Sequence, residues 1–147
     1  MTFLRKKNKL YSVAVDKKIV IITDGAASLQ GLAEHIAAII GNSGYSAAVI
    51  QAESFSGSEL LSAYAFFLGC EKPEPSSFSY LGKLLGHINL AGRSCGIFSS
   101  DAKALNYLAS LVHDSETAVG EPFLVQNGTA DDDTLRHWIQ SILKTRS

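Results

Sequence analysis

The sequence predicts an α/β fold, a three-layer sandwich in which a five-stranded parallel sheet has helices on both faces. The 147 residues suit one globular domain with its own core. Five short apolar runs, typical of strands buried on both faces, alternate with segments whose apolar residues recur every three or four positions. Such amphipathic helices supply the crossover connections that parallel strands require. The runs are residues 18–23, 46–51, 63–69, 93–100 and 122–127.

The connecting segments carry recognisable helix signals. Residues 54–61 predict a loop with a short helix. Ser76 or Ser77 is expected to cap the helix after the third strand, and Asp101 the helix after the fourth. Three aspartates at 131–133 precede the last helix, where the helix dipole favours negative charge.

The charge distribution argues against nucleic acid as the main partner. Residues 1–18 contain six basic residues and one acidic residue, whereas the rest contains seven basic and thirteen acidic residues. Phosphate backbones are bound by clustered Lys and Arg, which the acidic body lacks. We therefore expect a domain at 18–147, preceded by a basic arm or short edge strand at 1–17 that could contact an anionic surface.

Cysteine usage and hydropathy indicate a cytoplasmic protein without a membrane span. Cys70 and Cys95 are the two cysteines, which is too few for a disulfide framework, and no Cys/His spacing indicates a zinc site. No apolar run has the length of a signal peptide or of a bilayer-spanning helix.

Ligands of doubly wound sheets bind beyond the carboxyl ends of the strands, where the strand order reverses. The residues expected at this edge follow each predicted strand in turn. They are residues 23–28, 69–75, 99–101 and 127–130.

The stretch from Lys18 to Leu143 resembles the flavodoxin family. The similarity lies in its length, its five strand–helix units, the small-residue hexad after strand one, the glycine that ends strand three (FFLGC, 66–70) and the approach to strand four (LAGRSCGIFSS, 90–100). The resemblance implies strand order 2-1-3-4-5 and an FMN whose phosphate is held by the hexad. It also implies that the loops after strands three and four hold the flavin ring, and that the protein passes electrons to a redox partner.

The hexad keeps only part of the family's phosphate-binding pattern. That pattern has hydroxyls at the first, third and sixth positions and glycine at the fourth. Thr23 and Ser28 keep two hydroxyls, whereas Asp24 adds a carboxylate whose repulsion of a phosphate, at ~4–6 Å and an effective dielectric of ~20, is roughly 3–4 kcal/mol. Either the free helix N–H groups still bind a smaller anion, or the loop is an ordinary turn that Ser28 caps. The candidate residues are Thr23, Asp24, Gly25, Ala26, Ala27 and Ser28.

The predicted flavin-ring loops lack the Trp or Tyr with which the family usually sandwiches the ring. Trp138 lies on the apolar stripe of the last helix and is expected in the core. Phe78 and Tyr80 are the nearest rings, and Phe78 also fits a core position. The candidate residues of the two loops are Cys70, Glu71, Lys72, Ser99, Ser100 and Asp101.

Other chemistries known on this topology find no support. A receiver domain needs an acid after strand three and a lysine after strand five, where this chain has Gly69-Cys70 and Gln126-Asn127. The hexad has neither the cysteine and arginine of a phosphatase loop nor the glycines of a nucleotide-binding loop. No catalytic constellation is found. Cys70 is either a thiol whose pKa Lys72 lowers or a small buried hydrophobe.

Two hypotheses follow for the function. The altered hexad and the missing rings favour a flavodoxin-like domain with a degenerate FMN site, acting as a non-catalytic module that binds or assembles with a protein partner. The alternative is an FMN-binding electron carrier rather than an enzyme. Under the first hypothesis, replacing Asp24 by Thr strengthens FMN binding.

The two cysteines are predicted to be unbridged. Cys70 follows the carboxyl end of strand three and Cys95 lies near the amino end of strand four, so parallel pairing separates them by more than the ~7 Å between Cα atoms that a disulfide tolerates. Thiol titration of the unfolded, unreduced protein should count both thiols. A count of zero would contradict the strand register.

Overall fold

The computed structural model describes residues 17–125 and 130–145. The predicted arm, apart from Lys17, lies outside the described residues. The strands are β1 (Lys18–Thr23), β2 (Ser46–Gln51), β3 (Ala65–Gly69), β4 (Ser94–Ser99), β5 (Ala118–Val119) and β6 (Phe123–Leu124). The α-helices are α1 (Ala27–Asn42), α2 (Gly57–Leu61), α3 (Ser79–Leu85), α4 (Ala102–His113) and α5 (Asp132–Thr145), and short 3-10 helices span Ala52–Ser54 and Ser76–Phe78. None of the described helices is long and apolar enough to cross a membrane.

The sheet confirms the predicted parallel topology. Its order is β2-β1-β3-β4-β5, and β6 also pairs with β4. All pairings are parallel. In the register, Thr23 of β1 lies between Gln51 of β2 and Gly69 of β3, and Gly69 pairs with Phe98 of β4. The carboxyl ends of four strands therefore meet at one edge, and the segments that follow them start side by side.

The fifth strand is split, so its prediction over 122–127 was wrong in extent. Pairing with β4 occurs at β5 and again at β6, and residues 126 and 127 lie outside the described residues. Pro122 has no N–H to donate to a sheet. The Trp138 indole N–H donates to the Glu121 carbonyl (2.7 Å), and its ring stacks on Phe123 at 4.8 Å between centroids. Trp138 thus contacts the chain on both sides of Pro122, where the strand is interrupted. Its exposed fraction of 6% confirms its predicted place in the core.

Alternating strand residues enter two separate cores, as a three-layer sandwich requires. Ile19 and Ile21 of β1 are fully buried against α1 and α5, and Val20 and Ile22 against residues of α2, α3 and α4. Burying a side chain of this kind contributes about 1.5–3 kcal/mol. The central strand is therefore apolar throughout because both of its faces are covered.

Ser94 is predicted to be replaceable by alanine with a gain in stability. Its hydroxyl is buried and makes no hydrogen bond within the described chain. Removing a buried, unsatisfied hydroxyl should raise the free energy of unfolding by up to about 1 kcal/mol and the Tm by roughly 2–4 °C. Thermal unfolding followed by circular dichroism measures the change.

Ser115→Ala is the matched control. The buried Ser115 hydroxyl donates to the Val112 carbonyl (2.7 Å) and lies 2.7 Å from the Thr117 hydroxyl. Its removal should lower the free energy of unfolding by about 1–2 kcal/mol. Equal destabilisation by both variants would show that Ser94 has a hydrogen-bond partner in solution.

Candidate functional site

The hexad forms a tight turn between β1 and α1. The Gly25 N–H donates to the buried Thr23 hydroxyl (3.2 Å). Gly25 adopts φ +82°, and a Cβ at this position would lie 3.2 Å from the Gln51 side chain. A residue with a hydroxyl side chain would be strained here, which explains why the third position of the hexad is glycine.

Asp24 joins the hexad to the loop after β3. One carboxylate oxygen, Oδ1, accepts a hydrogen bond from the Ala26 N–H (3.0 Å), and Oδ2 accepts one from the Glu71 N–H (2.9 Å). The Ala26 amide belongs to the set of N–H groups that would surround a phosphate in this loop. A carboxylate of the protein itself therefore uses part of the anion-binding capacity of the turn.

A second carboxylate lies at the start of α1. The residue that caps α1 is Ala26, not Ser28, so the predicted cap was wrong. The Asp24 side chain already bonds the Ala26 N–H, and α1 begins one residue later, before Ser28. The Ser28 hydroxyl donates to Glu71 Oε2 (2.9 Å). Asp24 and Glu71 together place two negative charges where the helix dipole stabilises them.

The loop after β4 is closed by its own backbone and side chains. The Asp101 N–H donates to the buried Ser99 hydroxyl (3.1 Å). Asp101 occupies the cap position of α4 as predicted, but its side chain makes no capping hydrogen bond. Its carbonyl accepts from the Leu105 N–H (3.2 Å). Asp101 thus begins α4 through its backbone alone.

The helix after β3 begins differently from the prediction. A 3-10 turn at Ser76–Phe78 precedes α3, and the residue that caps α3 is Phe78. Neither Ser76 nor Ser77 makes a capping hydrogen bond to α3, because the chain is already helical there. Phe78 is fully buried, which confirms its predicted core position.

Cys70 is a buried thiol and not an activated one. Burial, with a further contribution from the charges of Asp24 and Asp101, raises the pKa of Cys70 to about 12. The exposed Lys72 does not offset these effects, so of the two alternatives for Cys70 the structure supports the small buried hydrophobe and not the thiol activated by Lys72. Both cysteines are free, which confirms that they are not bridged.

The edge is acidic and has no aromatic side chain in its loops. Segments 24–26, 70–75 and 100–101 contain four carboxylates and one lysine. Tyr107 of α4 lies beside Phe78, and burial, Cys70 and Glu74 raise the pKa of Tyr107 to about 12. The exposed Tyr80 is directed towards Phe55, with 6.1 Å between ring centroids. At this edge the Ala26 amide is already bonded to Asp24, and the loops at 70–75 and 100–101 offer no ring on which a flavin could stack.

The structure brings together only some of the candidate residues. Asp24 and Ser28 contact the loop after β3 at Glu71, and Thr23 pairs with Gly69 at the end of β3. Lys72 and Ser100 are exposed and make no hydrogen bond or ion pair with any described residue, and residues 126–129 lie outside the described chain. Gln51, which packs on Gly25, was missed. It ends β2 at the same edge, so the rule that places ligands beyond strand ends could have included it.

The buried Cys70 thiol is predicted to lower the free energy of unfolding as the pH becomes alkaline. Its thiol has a pKa of about 12 in the fold and 9.0 ordinarily, so the folded state retains the proton that the unfolded state loses. This contribution is fully present below pH 9 and is lost as pH rises towards 12. Urea unfolding at neutral pH and at about pH 10 should show a smaller alkaline loss for Cys70→Ala than for the wild type. Equal losses would contradict the burial of this thiol.

The architecture is that of known flavodoxin structures. No protein-family model matches the chain, and no curated protein matches it. A flavodoxin from Streptococcus pneumoniae has TM-score 0.76 at 13% identity, over 87% of this chain and 98% of that one. A short-chain flavodoxin associated with a non-canonical PDU bacterial microcompartment has TM-score 0.78 at 10% identity, over 90% and 100%.

A longer protein contains a similar unit. The flavodiiron core from Synechocystis sp. PCC6803 has TM-score 0.67 at 22% identity, over 90% of this chain but 37% of that one. At these identities the similarity establishes the architecture alone. The chain has a flavodoxin-like fold.

Proposed function

We propose that this chain is a flavodoxin-like domain that does not hold FMN in its hexad and acts as a non-catalytic module that binds or assembles with a protein partner. The observation that carries the proposal is the pair of hydrogen bonds that the Ala26 and Glu71 amides donate to the Asp24 carboxylate. A carboxylate that belongs to the chain already satisfies amides on both sides of the turn. An FMN phosphate has to displace it or accept its repulsion.

Displacing Asp24 and keeping it beside the phosphate both cost free energy of binding. Hydrogen bonds to a charged group contribute about 1.5–3 kcal/mol each, less where solvent screens them as at the half-buried Asp24. If Asp24 stays in place, repulsion at ~4–6 Å costs roughly 3–4 kcal/mol at an effective dielectric of ~20. Family members offset the cost of binding by stacking the flavin on aromatic rings, and the loops at 70–75 and 100–101 have none.

Within the described residues, no group of three or more His, Cys, Asp or Glu side chains could hold a metal ion. His35 pairs with Asp132 (2.8 Å) on the surface between α1 and α5. The two free thiols support a reducing compartment such as the cytoplasm.

Electron transfer with bound FMN is the second candidate. The similarity to flavodoxins over nearly their whole length favours it. The first-turn amides of Ala27 and Ser28 have no acceptor within their own helix and could bind an anion. Thr23 and Ser28 also keep two hydroxyls of the family pattern.

Titration calorimetry with FMN and with riboflavin separates the two candidates. Riboflavin lacks the phosphate, so the proposal predicts that wild-type protein binds the two ligands equally weakly. Asp24→Thr should strengthen FMN binding by about 1–3 kcal/mol, after allowance for solvent screening, and leave riboflavin binding unchanged. A visible spectrum of the purified wild type should lack flavin absorption.

Two further variants control for charge and for fold. Asp24→Asn keeps one oxygen acceptor and removes the charge, whereas Asp101→Asn removes a charge from the same edge that makes no hydrogen bond to the hexad. FMN should gain affinity in the first variant much more than in the second. A sub-micromolar dissociation constant for wild-type protein and FMN would overturn the proposal in favour of electron transfer.

A further inference from the structure

A cleft of about 490 Å³ opens beside the acidic edge, on the face of the sheet that carries α2, α3 and α4. Its walls come from the segment after β2 and from the start of α3, so it lies outside the hexad. Clefts of this size hold small organic ligands. The lining residues used below are Glu53, Phe55, Ser76, Ser77, Ser79 and Tyr80.

Two aromatic rings form the apolar part of this cleft. Phe55 is 7% exposed and Tyr80 is 50% exposed. Their centroids lie 6.1 Å apart, and the ring planes meet at 52°. Because half of Tyr80 is open to solvent, its ring can still accept a ligand, and the electron-rich face of such a ring attracts cations.

The polar part of the cleft offers acceptors and no positive charge. Within the described chain, the hydroxyl groups of Ser76, Ser77, Ser79 and Tyr80 make no hydrogen bond, and the Glu53 carboxylate makes no hydrogen bond or ion pair. No lysine or arginine lines the cleft. The neighbouring loop at 70–75 adds Glu71 and Glu74 and one lysine. The lining thus carries one negative charge and no positive charge, which favours a cation over an anion.

We propose that this cleft binds an alkylammonium group, with the cation against the Tyr80 ring and Glu53 as its counter-ion. The group belongs either to a small free ammonium compound or to a lysine side chain of a partner protein, since both present a positive charge on an apolar stem. This site is independent of FMN binding at the hexad.

Amide NMR shifts on titration with choline test the proposal. The neutral analogue of choline, with carbon in place of nitrogen, is the matched ligand control. We expect choline to shift amides in segments 52–57 and 76–80, and the neutral analogue to shift them at least two- to fivefold less at equal concentration. Glu53→Gln and Tyr80→Leu should each weaken choline binding by about two- to fivefold.

Two control variants separate these effects from a change of fold. Tyr80→Phe keeps an aromatic face and should weaken choline binding less than Tyr80→Leu. Glu34→Gln removes an exposed carboxylate on α1, across the sheet, and should bind choline like the wild type. N-acetyl-lysine methylamide forms the second arm. Tighter binding of the lysine derivative than of choline assigns the site to a protein side chain, and the reverse assigns it to a free amine. Absence of shifts with both cations, or equal shifts with the neutral analogue, would overturn the proposal.

Discussion

The Asp24 carboxylate holds the candidate site in its present form. It accepts hydrogen bonds from its own turn and from the loop after β3, at 3.0 and 2.9 Å. The register makes this possible, because Thr23 and Gly69 pair at the ends of β1 and β3 and the next residues of both segments lie close together. Gly25, whose positive φ lies in the left-handed region, then leads the chain into α1. Through Asp24, the position of one loop fixes the position of the other.

An internal anion changes what this edge of the fold can bind. The start of α1 attracts negative charge, and Asp24 and Glu71 supply it from within the chain. Their charges stabilise the helix and the loop contact, and Asp24 occupies the Ala26 amide. Burial, with a smaller contribution from the charges of Asp24 and Asp101, also raises the pKa of the Cys70 thiol.

The sequence predicts the fold better than the site. The apolar strands and the amphipathic helices were sufficient to predict the parallel sheet, because a strand that is buried on both faces, such as β1, has apolar residues at successive positions. The split of the fifth strand was missed because it depends on Trp138, which is distant in sequence from Glu121. The sequence identified Asp24 as the residue that alters the hexad, but the direction of its side chain was not predictable. That direction depends on the amide of Glu71, which only the β1–β3 register brings near. The cleft likewise joins segments that no sequence pattern connects.

Hydrogen–deuterium exchange at the amides of Ala26 and Glu71 is the most direct measurement of the Asp24 contacts. Exchange is followed by NMR in the wild type and in Asp24→Ala, each with and without FMN. We expect both amides to be protected in the wild type and FMN to leave this protection unchanged. Asp24→Ala should lose the protection at these two amides while the core amides of β1 keep theirs. Amides that are unprotected in the free wild type and become protected when FMN is added would show that the phosphate, and not Asp24, binds them.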